Sequence, residues 1–197
     1  MKAIEFDKLA RESFGEVLKP YGFSAEKSQY CTFYRQVGEL YHVVMPDLNS
    51  DGTSFIIWVF VTSPLIEPNF DERFPDNVGI PSDVCSALHP RRGVSFRAHN
   101  YRCKSEEGFI RNFNTDAKPA LLERALPYLD EITSVQDMLP SIKNQFYLAV
   151  ATWQSGKKEE AKPLLESECK RLSDIDDKTG QAASSLSFLE GLLAGSA

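Results

Sequence analysis

The chain has 197 residues, 42% of them hydrophobic and 25% charged, with a net charge of −6. These proportions describe a globular protein long enough to bury a core without disulfides or metal, and they exclude global disorder. The acidic balance argues against general nucleic-acid binding, which needs a basic face.

Residues 4–19 are predicted to form a helix. Phe6, Leu9, Ala10, Phe14, Val17 and Leu18 fall near helical spacing on one face, and Pro20 and Gly22 stop it. A first strand is expected from Tyr30 to Val37 and a second from Leu40 to Leu48. Gly38-Glu39 between them reads as a hairpin turn. After the Asn49-Ser50-Asp51-Gly52 turn, Ser54–Thr62 is continuously apolar, so both of its faces should be covered. That makes it the candidate central strand.

Residues 63–93 hold five prolines and little periodicity. A loop of that length in a compact domain is often functional. A short helix could interrupt it near Ser82–Leu88. Val94–Tyr101 then alternates, with Val94, Phe96 and Ala98 inward and Ser95, Arg97 and His99 outward, as a half-exposed fourth strand.

The remainder reads as helical. Thr115 or Asp116 can cap a helix with Pro119 in its first turn. A short element follows at Val135–Leu139. Helices over 141–155 and 157–172 are joined at Gly156, and a last helix spans 179–193. The expected fold is therefore α+β. It has an N-terminal helix, a mainly antiparallel sheet of four or five strands, and C-terminal helices on one face. Residues 1–139 would form the α+β domain and 140–197 a helical extension.

Leu18-Lys19-Pro20-Tyr21-Gly22-Phe23, the strand start Thr32-Phe33-Tyr34-Arg35 and Ala125-Leu126-Pro127-Tyr128-Leu129 resemble the motifs of the bacterial DUF4304 family, whose activity is not agreed. Similar small proteins are encoded beside toxins, so the resemblance implies binding, in the manner of an immunity protein. Phe146–Leu165 is similar to one tetratricopeptide unit, with Ala149, Gly156, Ala161 and Leu165 at its small and apolar positions.

The charge divides unevenly along the chain. Residues 1–68 carry a net −3, residues 69–113 a net +1 and residues 114–197 a net −4. The segment 91–111 interleaves arginines with aromatics, which is the composition of interaction hot spots. Arg91, Arg92, Arg97, His99, Tyr101 and Arg102 are accordingly the expected partner contacts. An acidic protein partner, such as a toxin, is favoured, and nucleic acid is not.

Cys85-x3-His89 and His99-x3-Cys103 have the composition of a Cys2His2 zinc site. A strand through His99 and Cys103 would hold them about 13 Å apart, so no metal is expected. The four cysteines, Cys31, Cys85, Cys103 and Cys169, lack CxxC spacing and read as reduced thiols. No Gly-x-Ser-x-Gly, P-loop or His-Glu-x-x-His motif occurs. A non-enzymatic protein without a cofactor is therefore expected. The alternatives are an enzyme or binder that handles phosphate or nucleic acid through Arg97 and His99, and a scaffold working through the helical tail. The longest apolar run, Phe55–Val61, is too short to span a bilayer, and the acidic start Met1–Asp7 lacks signal-peptide design. A cytoplasmic location without membrane contact is expected.

Overall fold

The computed structural model describes residues 1–25, 31–67, 100–142, 144–176 and 180–195. The expected short helix at Ser82–Leu88 and residues 94–99 of the expected fourth strand lie outside the described residues.

Helix α1 (Ala3–Leu18) buries Phe6, Ala10, Phe14, Val17 and Leu18 along one stripe. Burying each phenylalanine is worth about 1.5–3 kcal/mol. A 3-10 turn, Lys19–Tyr21, follows, and Gly22 ends it at φ 82°. A Cβ at Gly22 would meet open space, so only the left-handed backbone asks for glycine there. The Phe23 N–H then reaches back to Leu18 O at 3.4 Å, turning the chain toward the sheet.

The sheet is antiparallel throughout, in the order β1 (Phe33–Val37), β2 (Leu40–Leu48), β3 (Ser54–Thr62), β4 (Tyr101–Arg102). Gly38, at φ 58°, opens the two-residue loop between β1 and β2. That loop fixes the register: Val37 faces Leu40, and Arg35 faces His42. Alternation then sorts the side chains. Phe33, Leu40, Val44, Phe55, Ile57, Val59 and Val61 join the main core. Tyr41, Val43 and Phe60 form a second cluster on the opposite face, flanked by Tyr34 and Trp58. β3 is thus buried on both faces and sits between β2 and β4, as its unbroken apolar run predicts.

Phe55 is the hub of the core. Its ring centroid lies 5.4 Å from Phe6, 5.2 Å from Tyr101 and 5.4 Å from Phe109. Phe14 links this group to Phe113 at 4.9 Å.

The next helix begins ten residues before the expected Thr115 or Asp116 cap. Ser105 is the N-cap of α2 (Glu106–Asn112), accepting from the Gly108 N–H. The chain then runs without a break through a π-turn (Phe113–Ala117), α3 (Lys118–Ala120), a second π-turn (Leu121–Ala125) and α4 (Leu126–Asp130). Each widened turn stands directly ahead of a proline. Lys118 N–H bonds Phe113 O just before Pro119, and Leu126 N–H bonds Leu121 O just before Pro127. Proline clashes with the carbonyl four residues back. The wider i→i−5 turn moves that carbonyl aside and lets the helix continue.

Among the described residues α5 (Val135–Met138), a 3-10 turn (Leu139–Ser141), α6 (Gln145–Gln154), α7 (Lys158–Ser173) and α8 (Gln181–Ala194) follow. Gly156 turns the α6–α7 hairpin at φ 85°, and Ala149, Ala161 and Leu165 are fully buried within it. The Phe146 ring meets Phe188 of α8 at 6.4 Å. Two hydrogen bonds fasten α6 to the segment after β3. Tyr147 Oη donates to Glu67 Oε2 at 2.7 Å, and Gln154 Nε2 donates to Leu65 O at 3.0 Å. Buried apolar residues from Phe6 to Leu189 belong to one cluster. Among the described residues no helix is long and apolar enough to cross a membrane.

Candidate functional site

β4 carries the described part of the expected contact surface. It pairs with β3 through Phe55↔Tyr101 and Ser54↔Arg102. This register turns Tyr101 into the core, 2% exposed and stacked on Phe55. Burial pushes its phenol well above the ordinary range. Tyr101 is therefore a core residue, which corrects its expected role as a contact. Arg102 points to the other face and is exposed. Among the described residues its guanidinium forms no ion pair. Such a group presents a planar fork of donors suited to a carboxylate or phosphate.

Cys103 is fully buried, and its backbone N–H bonds Thr53 O at 2.9 Å. Burial raises its thiol pKa, which disfavours the thiolate a metal requires. Arg91, Arg92, Arg97 and His99 of the contact set, and Cys85, His89 and His99 of the zinc-like set, lie outside the described residues.

Beyond β4, exposed Lys104 lines a cleft of about 320 Å³ between α1 and the start of α2. Lys8, Leu9, Glu12 and Ser105 share it. Among the described residues both outer strands of the sheet have polar backbone groups already engaged. Asn112 Nδ2 donates to Arg102 O at 2.6 Å on β4. On β1, Ser24 and Tyr34 exchange two backbone bonds of 2.9 and 3.0 Å. Recognition by strand addition is thereby discouraged.

A second polar cluster lies under the sheet's helical face. His42, fully buried, donates from Nε2 to Ile132 O at 2.7 Å. Its Nδ1 accepts from Arg35 Nε and Nη2, each at 3.2 Å. Arg35 also donates to Tyr21 O at 3.2 Å and pairs with Asp130. Its guanidinium carbon stands 4.8 Å from the Phe23 ring centroid. Burial lowers the His42 pKa, helped by the Arg35 charge and opposed by the bond to Ile132 O, so the ring is neutral near pH 7. Both ring nitrogens are engaged, which makes His42 a satisfied structural residue.

The cross-strand pair was legible in the sequence, because a two-residue hairpin loop at Gly38-Glu39 dictates Arg35 opposite His42. Asp130, 95 residues away in the chain, gave no comparable signal. The turn 21–23, the strand start 33–35 and the end of the 126–130 helix thus meet at one guanidinium. Cys31 is buried with its thiol pushed up to about 12, by burial first and by Asp7 second. Among the described residues no group of three or more histidine, cysteine or acidic side chains is placed to hold a metal ion.

No family model matches this chain, and no curated protein or solved structure matches it.

Proposed function

We propose that this chain is a non-enzymatic, cytoplasmic binding protein that captures an acidic protein partner, in the manner of an immunity or antitoxin-type protein of the DUF4304 kind. The observation that carries this reading is Arg102. It is exposed on the strand at one side of the sheet, without an ionic partner among the described residues. An arginine left unpaired at a surface is available for a bidentate carboxylate contact. Lys104, two residues on, lines the cleft beside α1 with Lys8, where Glu5, Glu12 and Glu106 counter their charge. Arg91, Arg92, Arg97 and His99 are proposed as further contacts from the sequence alone.

The supporting chemistry is positive as well. His42 and Cys31 are committed to the core by hydrogen bonding or burial, which suits them to holding a shape rather than turning over a substrate. The resemblance of Leu18–Phe23 and Thr32–Arg35 to the family motifs adds an associational argument only.

Affinity capture with the intact chain tests the proposal. The wild type and an Arg97→Glu, Arg102→Glu double variant are used as baits on extract from the source cells. An acidic protein retained by the wild type and lost by the variant is the expected result. Equal retention by both baits would remove the arginine surface from the account.

A further inference from the structure

The tautomer of His42 is set by its partners. Nδ1 faces two N–H donors of Arg35, so it must present a lone pair, and the ring proton must reside on Nε2, which faces Ile132 O. A second proton has no acceptor to meet. It would place an N–H against the Arg35 N–H groups and a positive ring beside a positive guanidinium. The charged groups facing the ring are Arg35 from β1 and Asp130 from the end of α4. Asp130 is already paired with Arg35 and its side chain is 56% exposed, so solvent weakens the compensation it can give.

We infer that Arg35, His42 and Asp130 form an acid-releasable latch that holds the turn 21–23 and the Asp130 end of α4 against the β1–β2 hairpin. In the closed state one neutral imidazole and one guanidinium tie four parts of the chain together: β1, β2, the Tyr21 carbonyl and the Ile132 carbonyl. Protonation of His42 forces Arg35 away from Nδ1. The same movement loosens its bonds to Tyr21 O and Asp130 and its stacking over Phe23. The core beneath stays packed by Phe33, Val44 and Val59, so the opening is local.

Because the folded ring prefers to be neutral, the unfolded chain takes up the proton more readily. The latch is at full strength above the ordinary histidine pKa of 6.5 and weakens as pH falls below it. The consequence is a pH-responsive junction between helix and sheet.

The test follows the ring and the backbone together in the unmodified protein, by NMR between pH 7.5 and 4.5. The His42 ring should titrate below 6.5. In step with it, amide exchange at Phe23, whose N–H bonds Leu18 O, should accelerate about tenfold beyond the intrinsic pH effect. His42→Gln, which keeps a donor and an acceptor but cannot titrate, should abolish that acceleration. A ring titrating at or above 6.5 would overturn the latch. So would exchange at Phe23 that ignores His42 protonation, or an acceleration that persists in the glutamine variant. Should the glutamine variant fail to fold, the first two readings on the wild type still decide.

Discussion

Arg35 sits over Phe23 with its guanidinium carbon 4.8 Å from the ring centroid, while the same group contacts His42, Tyr21 O and Asp130. One side chain on an outer strand therefore joins the exit of α1, the first hairpin and the end of α4. Removing it would leave His42 Nδ1 without its donors in a fully buried position. Arg35→Ala should lower unfolding stability by about 2–3 kcal/mol, from the unsatisfied nitrogen and the lost stacking. Arg35→Lys keeps the charge but not the planar fork and should lose about half as much. Urea unfolding with unchanged slope is the check, and a neutral Arg35→Ala would contradict this role.

Phe55 should be the least replaceable aromatic. It touches Phe6, Tyr101 and Phe109 and is fully buried in the inner strand β3. Phe55→Ala should cost about 3–5 kcal/mol, enough to leave many domains of this size unfolded. Phe55→Leu retains much of the volume and should cost less, so the pair separates cavity formation from loss of ring contacts. Chemical denaturation of the two variants gives the comparison.

The cysteines should divide by environment. Cys31 is buried with its thiol pushed up to about 12, and Cys103 is fully buried with its thiol also raised. At pH 8 both should resist alkylation in the native protein and react within minutes in denaturant, as read by mass spectrometry of the labelled peptides. Cys169, half-exposed on α7, should label faster than either. For Cys31 the raised folded value means its contribution to stability is complete below 9.0 and is lost as pH rises toward 12.

Acid should weaken the start of α5 as well. Asp137 accepts from the Thr133 N–H at 3.0 Å, the Ser134 N–H at 2.9 Å and the Ser134 hydroxyl at 2.8 Å. These bonds, led by the Ser134 hydroxyl, hold its carboxyl below the ordinary 3.8. Its stabilising contribution is therefore present above 3.8 and disappears as pH falls below that value. Asp137→Asn should flatten this part of the stability–pH curve below pH 4 and leave the histidine-dependent part intact. An unchanged curve would remove Asp137 from the account.

Much of this architecture could be read from side-chain patterning. The strands Leu40–Leu48 and Ser54–Thr62 have the bounds expected from their apolar runs and the turns around them. Gly38-Glu39 reads as a hairpin turn, and the structure shows that its two-residue loop sets Arg35 opposite His42. Pro119 and Pro127 read as a start and a break, so the sequence points to a helix start at Thr115 or Asp116, whereas the helix begins at Glu106. The π-turns ahead of them, which let the helix pass through, have no periodic signature. Tyr101 failed for a reason of parity. Alternation from Val94 inward carries Tyr101 outward, whereas the pairing with Phe55 turns it in and sends Arg102 out. Asp130 meets Arg35 through tertiary folding, which local spacing does not encode.

The most direct measurement is the dissociation constant of the captured partner, by isothermal titration, for the wild type and for Arg102→Glu alone. Tyr101 is the internal control. Tyr101→Phe keeps the buried ring and should bind as the wild type does. The account predicts at least about a tenfold weaker complex for Arg102→Glu, with a shallower dependence on salt, since a charge contact at the partner surface has been reversed. Equal dissociation constants and equal salt dependence for Arg102→Glu and the wild type would contradict it.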